Sequence, residues 1–255
     1  MIVTTDLDRT LIFTQKQLTP APETIPAEYR LGQPAAFMTA GALAHLRTLQ
    51  RRAVFLVNTM RGLEQANRVV FVGDGSCRYV AVQNGLYLYR DGVEDPNWAA
   101  FVRRTVGELP LDLPGGIRRV QTLPGIEALS KQYEYLAVFF VTEEIFDDGI
   151  CAQLAEELAA SGWLLHRQRR KLYLFPAAID KGRVLDYVQT LEEDRDTVGL
   201  GDSWFDLPML RACRLAYAPK GCELDGSAWD LALRFSAHTA QAGAEELLAA
   251  LLNRV

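Results

Sequence analysis

Paired cysteines are absent from this sequence. Its four cysteines, Cys77, Cys151, Cys213 and Cys222, lie far apart and form no CxxC pair. They read as reduced, mostly buried thiols, so neither a disulfide framework nor a cysteine-ligated zinc site is expected. Histidine is scarce as well: His45, His166 and His238 are scattered along the chain, which suits structural roles better than metal ligation. A basic surplus is missing, since 27 basic against 32 acidic residues leave a net charge of −5. That balance argues against a general nucleic-acid binder, though not against a local basic pocket for a small anion. No apolar run reaches the length of a membrane span; YLAVFFV (135–141) is among the longest and suits a buried strand. No basic leader precedes Asp6, so a cytoplasmic protein without a signal peptide is expected.

What is present is the balance of an ordinary globular protein, 49% apolar and 23% charged over 255 residues. Short apolar runs alternate with helical patterns. VTT (3–5), AVFLVN (53–58), VVFVG (69–73), TVGLG (197–201) and RLAYA (214–218) read as strands. Residues 39–52, 180–194 and 241–255 read as helices, the first capped by Thr39. Strands alternating with helices predict an α/β fold, a Rossmann-like parallel sheet with helices on both faces. Such sheets bind ligands at the carboxyl ends of their strands, where Asp6, Thr59 and Asp202 would sit. The middle of the chain mixes strands and helices differently. After a turn at Asn84-Gly85 it reads as an inserted α+β domain over 86–175, dividing a core of 1–85 and 176–255. The proline-rich stretch 14–38 shows no clear structure, and 110–125, broken by proline and glycine, reads as a loop.

The opening MIVTTDLDRTLIF runs a buried strand straight into Asp6 and Asp8. Two carboxylates so close repel unless something positive lies between them. Three further elements bear on the same chemistry: VNTMR with Thr59 and Arg61, DKG with Lys181 at a helix start, and GDSWFD with Asp202 and Asp206. Each alone has a structural reading. Asp8 and Thr10 suit a turn, Thr59 a strand end, Asp180 and Asp202-Ser203 helix caps. Four in this order, on the expected elements, point to a site. Magnesium takes hard oxygen ligands, commonly one or two carboxylates with phosphate and water, and it would offset the repulsion.

The order DxDxT, Ser/Thr after a strand, Lys, GDxxxD resembles the haloacid dehalogenase superfamily of phosphohydrolases over essentially the whole chain. The insert between the second and third motifs is similar to that of members with a large α+β cap, the Cof-type and sucrose-phosphatase-like sugar phosphatases. The resemblance implies a Mg²⁺-dependent phosphatase acting on a small phosphorylated metabolite, a sugar phosphate above all, through an aspartyl-phosphate intermediate. Asp6 would be the nucleophile and Asp8 the acid and base. Thr59 and Lys181 would hold the phosphoryl group. Leu7, Thr10, Met60 and Arg61 complete the phosphate- and substrate-binding set, with Lys131 and Gln132 from the cap. Asp6, Asp202, Asp206 and the backbone carbonyl of Asp8 would hold the metal. A basic cap rim, RQRRK at 167–171, would suit a second anionic group, although a solvated hairpin is the simpler reading.

Two departures bear on substrate. Relatives with this cap usually carry Gly where Arg9 stands and Asn where Phe205 stands. A phosphomutase of the phosphomannomutase type is the alternative enzyme, and a catalytically silent binding module the alternative from another class. Neither nucleic acid nor a membrane is expected as partner, and a monomer or homodimer is.

Overall fold

In the computed structural model, which describes residues 1–254, the first strand sets the architecture. Ile2–Thr5 (β1) is buried along its whole length, the condition of a strand inside a parallel sheet covered on both faces. The other strands follow in order: β2 (Ile25–Arg30), β3 (Gln33–Met38), β4 (Val54–Asn58), β5 (Tyr79–Val82), β6 (Tyr87–Arg90), β7 (Val93–Glu94), β8 (Ile126–Gln132), β9 (Ala137–Val141), β10 (Trp163–Gln168), β11 (Lys171–Pro176), β12 (Thr197–Leu200), β13 (Leu215–Lys220) and β14 (Leu233–Thr239).

The chain divides into two compact units, Met1–Asp95 with Asp180–Val255, and Pro96–Ile179. The first holds an eight-stranded sheet ordered β14-β13-β12-β1-β4-β5-β6-β7. It is parallel from β14 to β5 and antiparallel at β6 and β7. Helix Ala40–Arg52 begins where Thr39 accepts the Ala42 N–H at 3.0 Å, and Arg51 and Arg52 end it, a charge suited to a helix C-terminus. Its Leu46 and Leu49 share one core with Val3, Phe55 and Val57, and with Leu247, Leu248 and Leu251 of helix Ala240–Leu252. Each fully buried leucine contributes about 1.5–3 kcal/mol relative to exposure. Among the described residues no helix is long and apolar enough to cross a membrane.

The second unit is an antiparallel sheet ordered β10-β11-β9-β8 with helices Pro96–Gly107, Leu113–Val120 and Asp148–Ala159. Phe139, Trp163, Leu172 and Leu174 lie at its core, and the Trp163 indole N–H reaches the Leu111 carbonyl at 2.8 Å.

Four expectations are corrected. Residues 86–95 belong to the first unit, because β6 and β7 extend its sheet from β5, and residues 176–179 belong to the second. VVFVG is not a strand: Val70–Gly73 forms a helical turn, and YVAV (79–82) takes the place beside β4. A five-residue apolar run is ambiguous between a strand and a buried turn. The stretch 14–38 contains a hairpin, β2 against β3. Finally, the loop expected at 110–125 contains helix Leu113–Val120, because Asp112 caps it by accepting the Gly115 N–H at 2.8 Å and Pro114 falls in its first turn, where proline is tolerated.

Candidate active site

Strands β12, β1 and β4 lie side by side and parallel, so their carboxyl ends open at one edge. Asp6 continues beyond β1, its N–H donating to the Leu200 carbonyl of β12 at 3.0 Å. Thr59 follows β4 and donates its N–H to Ala81 at 2.9 Å. Gly201 and Asp202 follow β12. Lys181 opens helix Lys181–Leu191, whose start is tied to β4 by the Asn58 amide donating to the Lys181 carbonyl at 2.8 Å.

At the centre, the Lys181 ammonium, only 1% exposed, lies 2.6 Å from Asp6 Oδ1 and 2.7 Å from Asp206 Oδ1. The second Asp206 oxygen accepts from the Asp202 N–H, the Ser203 N–H and the Ser203 hydroxyl, each at 3.0 Å. Carboxylate oxygens of Asp6, Asp202 and Asp206 lie within 4.8 Å of one another, all three residues buried. Burial, with Asp206 and Asp8 adding like charge, pushes the Asp6 carboxyl up to about 7 against the pull of Lys181. Burial, then Asp206 and Asp6, raise Asp202 well above the usual carboxylate range. The Lys181 ammonium shifts upward, because Asp206 and Asp6 outweigh the opposing effect of burial.

Three buried carboxylates against one ammonium leave negative charge uncompensated, which is costly away from water. Among the described residues, the Asp202 carboxylate accepts no hydrogen bond and Asp6 accepts only that of Lys181. Free hard-oxygen ligands with surplus negative charge fit a divalent cation such as Mg²⁺. Asp206 differs from its partners, for both its oxygens are already engaged. Its clearest role is to hold Lys181 and the Asp202 loop in place. Gly201 permits this, since a Cβ there would stand 2.4 Å from Asp206 Cβ. Gly201→Ala is therefore expected to destabilise the chain by about 1–3 kcal/mol, the usual scale of overpacking, and to slow turnover. Urea unfolding checks it, and an unchanged midpoint would refute the contact.

The remaining candidates separate. Leu7, Asp8 and Met60 have backbone N–H groups with no acceptor among the described residues, which suits an anion cradle. The Thr59 oxygen accepts the Arg61 N–H at 3.2 Å, leaving its own proton to donate. Thr10 is fully buried and its hydroxyl meets no partner, so it is not among the donors shown at the strand ends. Arg61 was expected at the substrate, yet four of its five N–H donors are committed: two to Asp8 at 2.7 and 2.8 Å, one to Glu28 at 2.9 Å and one to the Gln65 carbonyl at 3.1 Å. Asp8 is accordingly gripped by Arg61, and its carboxylate stands outside the buried triad. Arg9 has φ +60°, a left-handed conformation costing a side chain about 1–2 kcal/mol. That accounts for the glycine usual there in the resembling family. Phe205 is buried edge-on to Trp204.

Lys131 and Gln132 belong to the other unit, both exposed on β8. There the basic cluster 167–171 is partly neutralised, Arg167 by Asp148 at 2.7 Å and Arg170 by Glu127 at 3.0 Å. Sequence reasoning missed Asn58, the donor role of Ser203, and Glu28. The first two sit inside the motifs already quoted, whereas nothing local signals Glu28.

No protein-family model matches the sequence, and no curated protein does. The fold is nonetheless shared with solved structures. The sucrose-phosphatase of Synechocystis sp. PCC6803, solved with sucrose and phosphate, aligns with a TM-score of 0.71 at 15% identity over 99% of this chain and 97% of that one. A haloacid dehalogenase-like hydrolase from B. subtilis aligns at 0.62 and 16% identity, over 98% and 99%. The trehalose-6-phosphate phosphatase of Aspergillus fumigatus aligns at 0.56 and 13%, over 99% and 92%. The chain therefore has the fold of the haloacid dehalogenase-like hydrolases. The sucrose-phosphatase shares that fold over nearly the full length of both chains.

Proposed function

We propose that this protein is a Mg²⁺-dependent phosphatase that hydrolyses a small phosphorylated metabolite, a sugar phosphate, through an aspartyl-phosphate on Asp6. The observation that carries this reading is the buried set Asp6, Asp202, Asp206 and Lys181 at adjacent strand ends, with Asp8 beside it. The likeness of fold to sucrose- and trehalose-6-phosphate phosphatases supports the substrate class.

Mg²⁺, held by Asp6, Asp202 and the Asp8 carbonyl, would supply the positive charge that lets a carboxylate approach an anionic phosphate. An Asp6 oxygen attacks phosphorus, and the bond from phosphorus to the leaving oxygen breaks. Asp8 gives that oxygen a proton, then takes one from the water that hydrolyses the acyl-phosphate; such help is worth ~10²–10⁴-fold. The Asp8 side chain is 51% exposed while Arg61 is only 13% exposed, so the acid has an open face and a buried grip. Lys181, the Thr59 hydroxyl and the free N–H groups of Leu7, Asp8 and Met60 meet the charge that gathers on the phosphoryl oxygens.

The test is phosphate release from glucose 6-phosphate, fructose 6-phosphate, sucrose 6-phosphate, trehalose 6-phosphate, glycerol phosphate and nucleotides. Release from one or a few sugar phosphates is expected with Mg²⁺, together with its loss on chelation. Release that survives exhaustive chelation, or none from any ester, would overturn the reading.

A further inference from the structure

The hairpin of β2 and β3 carries a buried acid with no evident local purpose. Glu28, its side chain 6% exposed, lies between two guanidinium groups, with Arg61 Nη2 at 2.9 Å from Oε2 and Arg68 Nε at 3.0 Å from Oε1. Its backbone also bridges to Val69, so the hairpin is fastened beside the segment that carries Arg68. A carboxylate this deep is costly unless paired and hydrogen-bonded. Two arginines meet that need and leave one positive charge over. The remaining charge is answered by Asp8, which Arg61 holds through two parallel hydrogen bonds at 2.7 and 2.8 Å. Before substrate binds, with Asp8 ionised, the four groups Asp8, Arg61, Glu28 and Arg68 alternate in sign and sum to zero.

Geometry gives the row a direction. Arg61 Nη2 is shared between Asp8 Oδ1 and Glu28 Oε2, while Nη1 is tied to the Gln65 carbonyl. A planar guanidinium fixed on those two sides has one edge left, Nε with Nη2, and Asp8 occupies it. Such bidentate pairs set orientation as well as energy. Without Glu28, one buried N–H of Arg61 loses its acceptor, and the group can turn to recover one. Asp8 is half exposed and has no other side-chain partner among the described residues, so it would turn with Arg61.

We infer that Glu28 is a positioning residue: through Arg61 it fixes the Asp8 carboxylate where, once it has taken up the proton of the bound phosphate monoanion, it hands that proton to the departing oxygen. The inference rests on the phosphatase reading above. Glu28 touches no reacting atom, so its effect is confined to leaving groups that need a proton.

The experiment compares kcat/KM for two esters in wild type, Glu28→Ala and the near-isosteric Glu28→Gln. One is p-nitrophenyl phosphate, whose leaving group departs without protonation. The other is the best sugar phosphate of the panel, whose alkoxide does not. With kcat/KM only steps up to the first irreversible one are read, and the ratio of the two values does not depend on how much of a variant is folded. Glu28→Ala is expected to lower the sugar-phosphate value by about 10–100-fold, part of the usual general-acid contribution, and the aryl value by no more than about threefold. Glu28→Gln should fall between, because it keeps one acceptor oxygen without the charge. An equal fall for both esters would mean a structural role only and would overturn the inference while leaving the phosphatase reading intact. No fall for either would do the same. A wild-type chain releasing phosphate from neither ester would overturn the phosphatase reading, and this inference with it.

Discussion

Asp6→Asn is expected to abolish phosphate release, by on the order of 10⁴-fold or more, while the fold stays intact. A reaction that passes through a covalent bond to one oxygen has no partial substitute for it, and an amide is a poor nucleophile. The fold should survive because Lys181 keeps Asp206 at 2.7 Å, and because the substitution removes one of three crowded acids. Folded Asp6 holds its proton up to about pH 7, far above an unfolded aspartate. Its contribution to stability is present at low pH and lost as pH rises through that value. At pH 8 without divalent cation, Asp6→Asn should therefore melt no lower than wild type. The measurement is phosphate release beside a thermal melt. Appreciable residual turnover would remove Asp6 from the nucleophile's place, and a collapsed melt would show that the loss was one of folding.

Why the site was legible in the sequence and its support was not is a matter of distance along the chain. Asp6, Asp8, Asp202 and Asp206 sit in two short segments that leave the neighbouring strands β1 and β12, so a local spacing is enough to bring them to one edge. Glu28 meets Arg61 and Arg68 across 33 and 40 residues, and no local pattern announces such a pairing. The same limit explains the misread elements. Val69 to Gly73 and Tyr79 to Val82 are both short and apolar, and only the partner strand β4 decides which joins the sheet. A turn at Asn84-Gly85 looks like a boundary and gives the edge strands β6 and β7 to the insert, whereas the ladder runs on to Glu94 and the unit to Asp95. Arg61 was placed at the substrate because its motif position suggests it. Four of the five N–H donors of its guanidinium are met within the chain, most by residues far away in sequence.

The second large effect concerns the cation the protein carries itself. Lys181→Ala removes the one ammonium between Asp6 and Asp206, both buried. Breaking a buried pair from one side typically costs about 3–5 kcal/mol, because the other charge is left unpaired. Unfolding free energy by urea titration, without divalent cation, should fall by that amount, and turnover should collapse with the loss of positive charge at the phosphoryl oxygens. The double variant Asp6→Asn with Lys181→Ala separates this account from simple loss of packing. If the cost is electrostatic, deleting one stranded carboxylate recovers part of it, and the two changes combine non-additively, as contacting charges do. If the lysine's methylenes alone matter, the double variant stays as unstable as Lys181→Ala. Recovery would identify Lys181 as the group that lets three acids share one buried corner of the sheet.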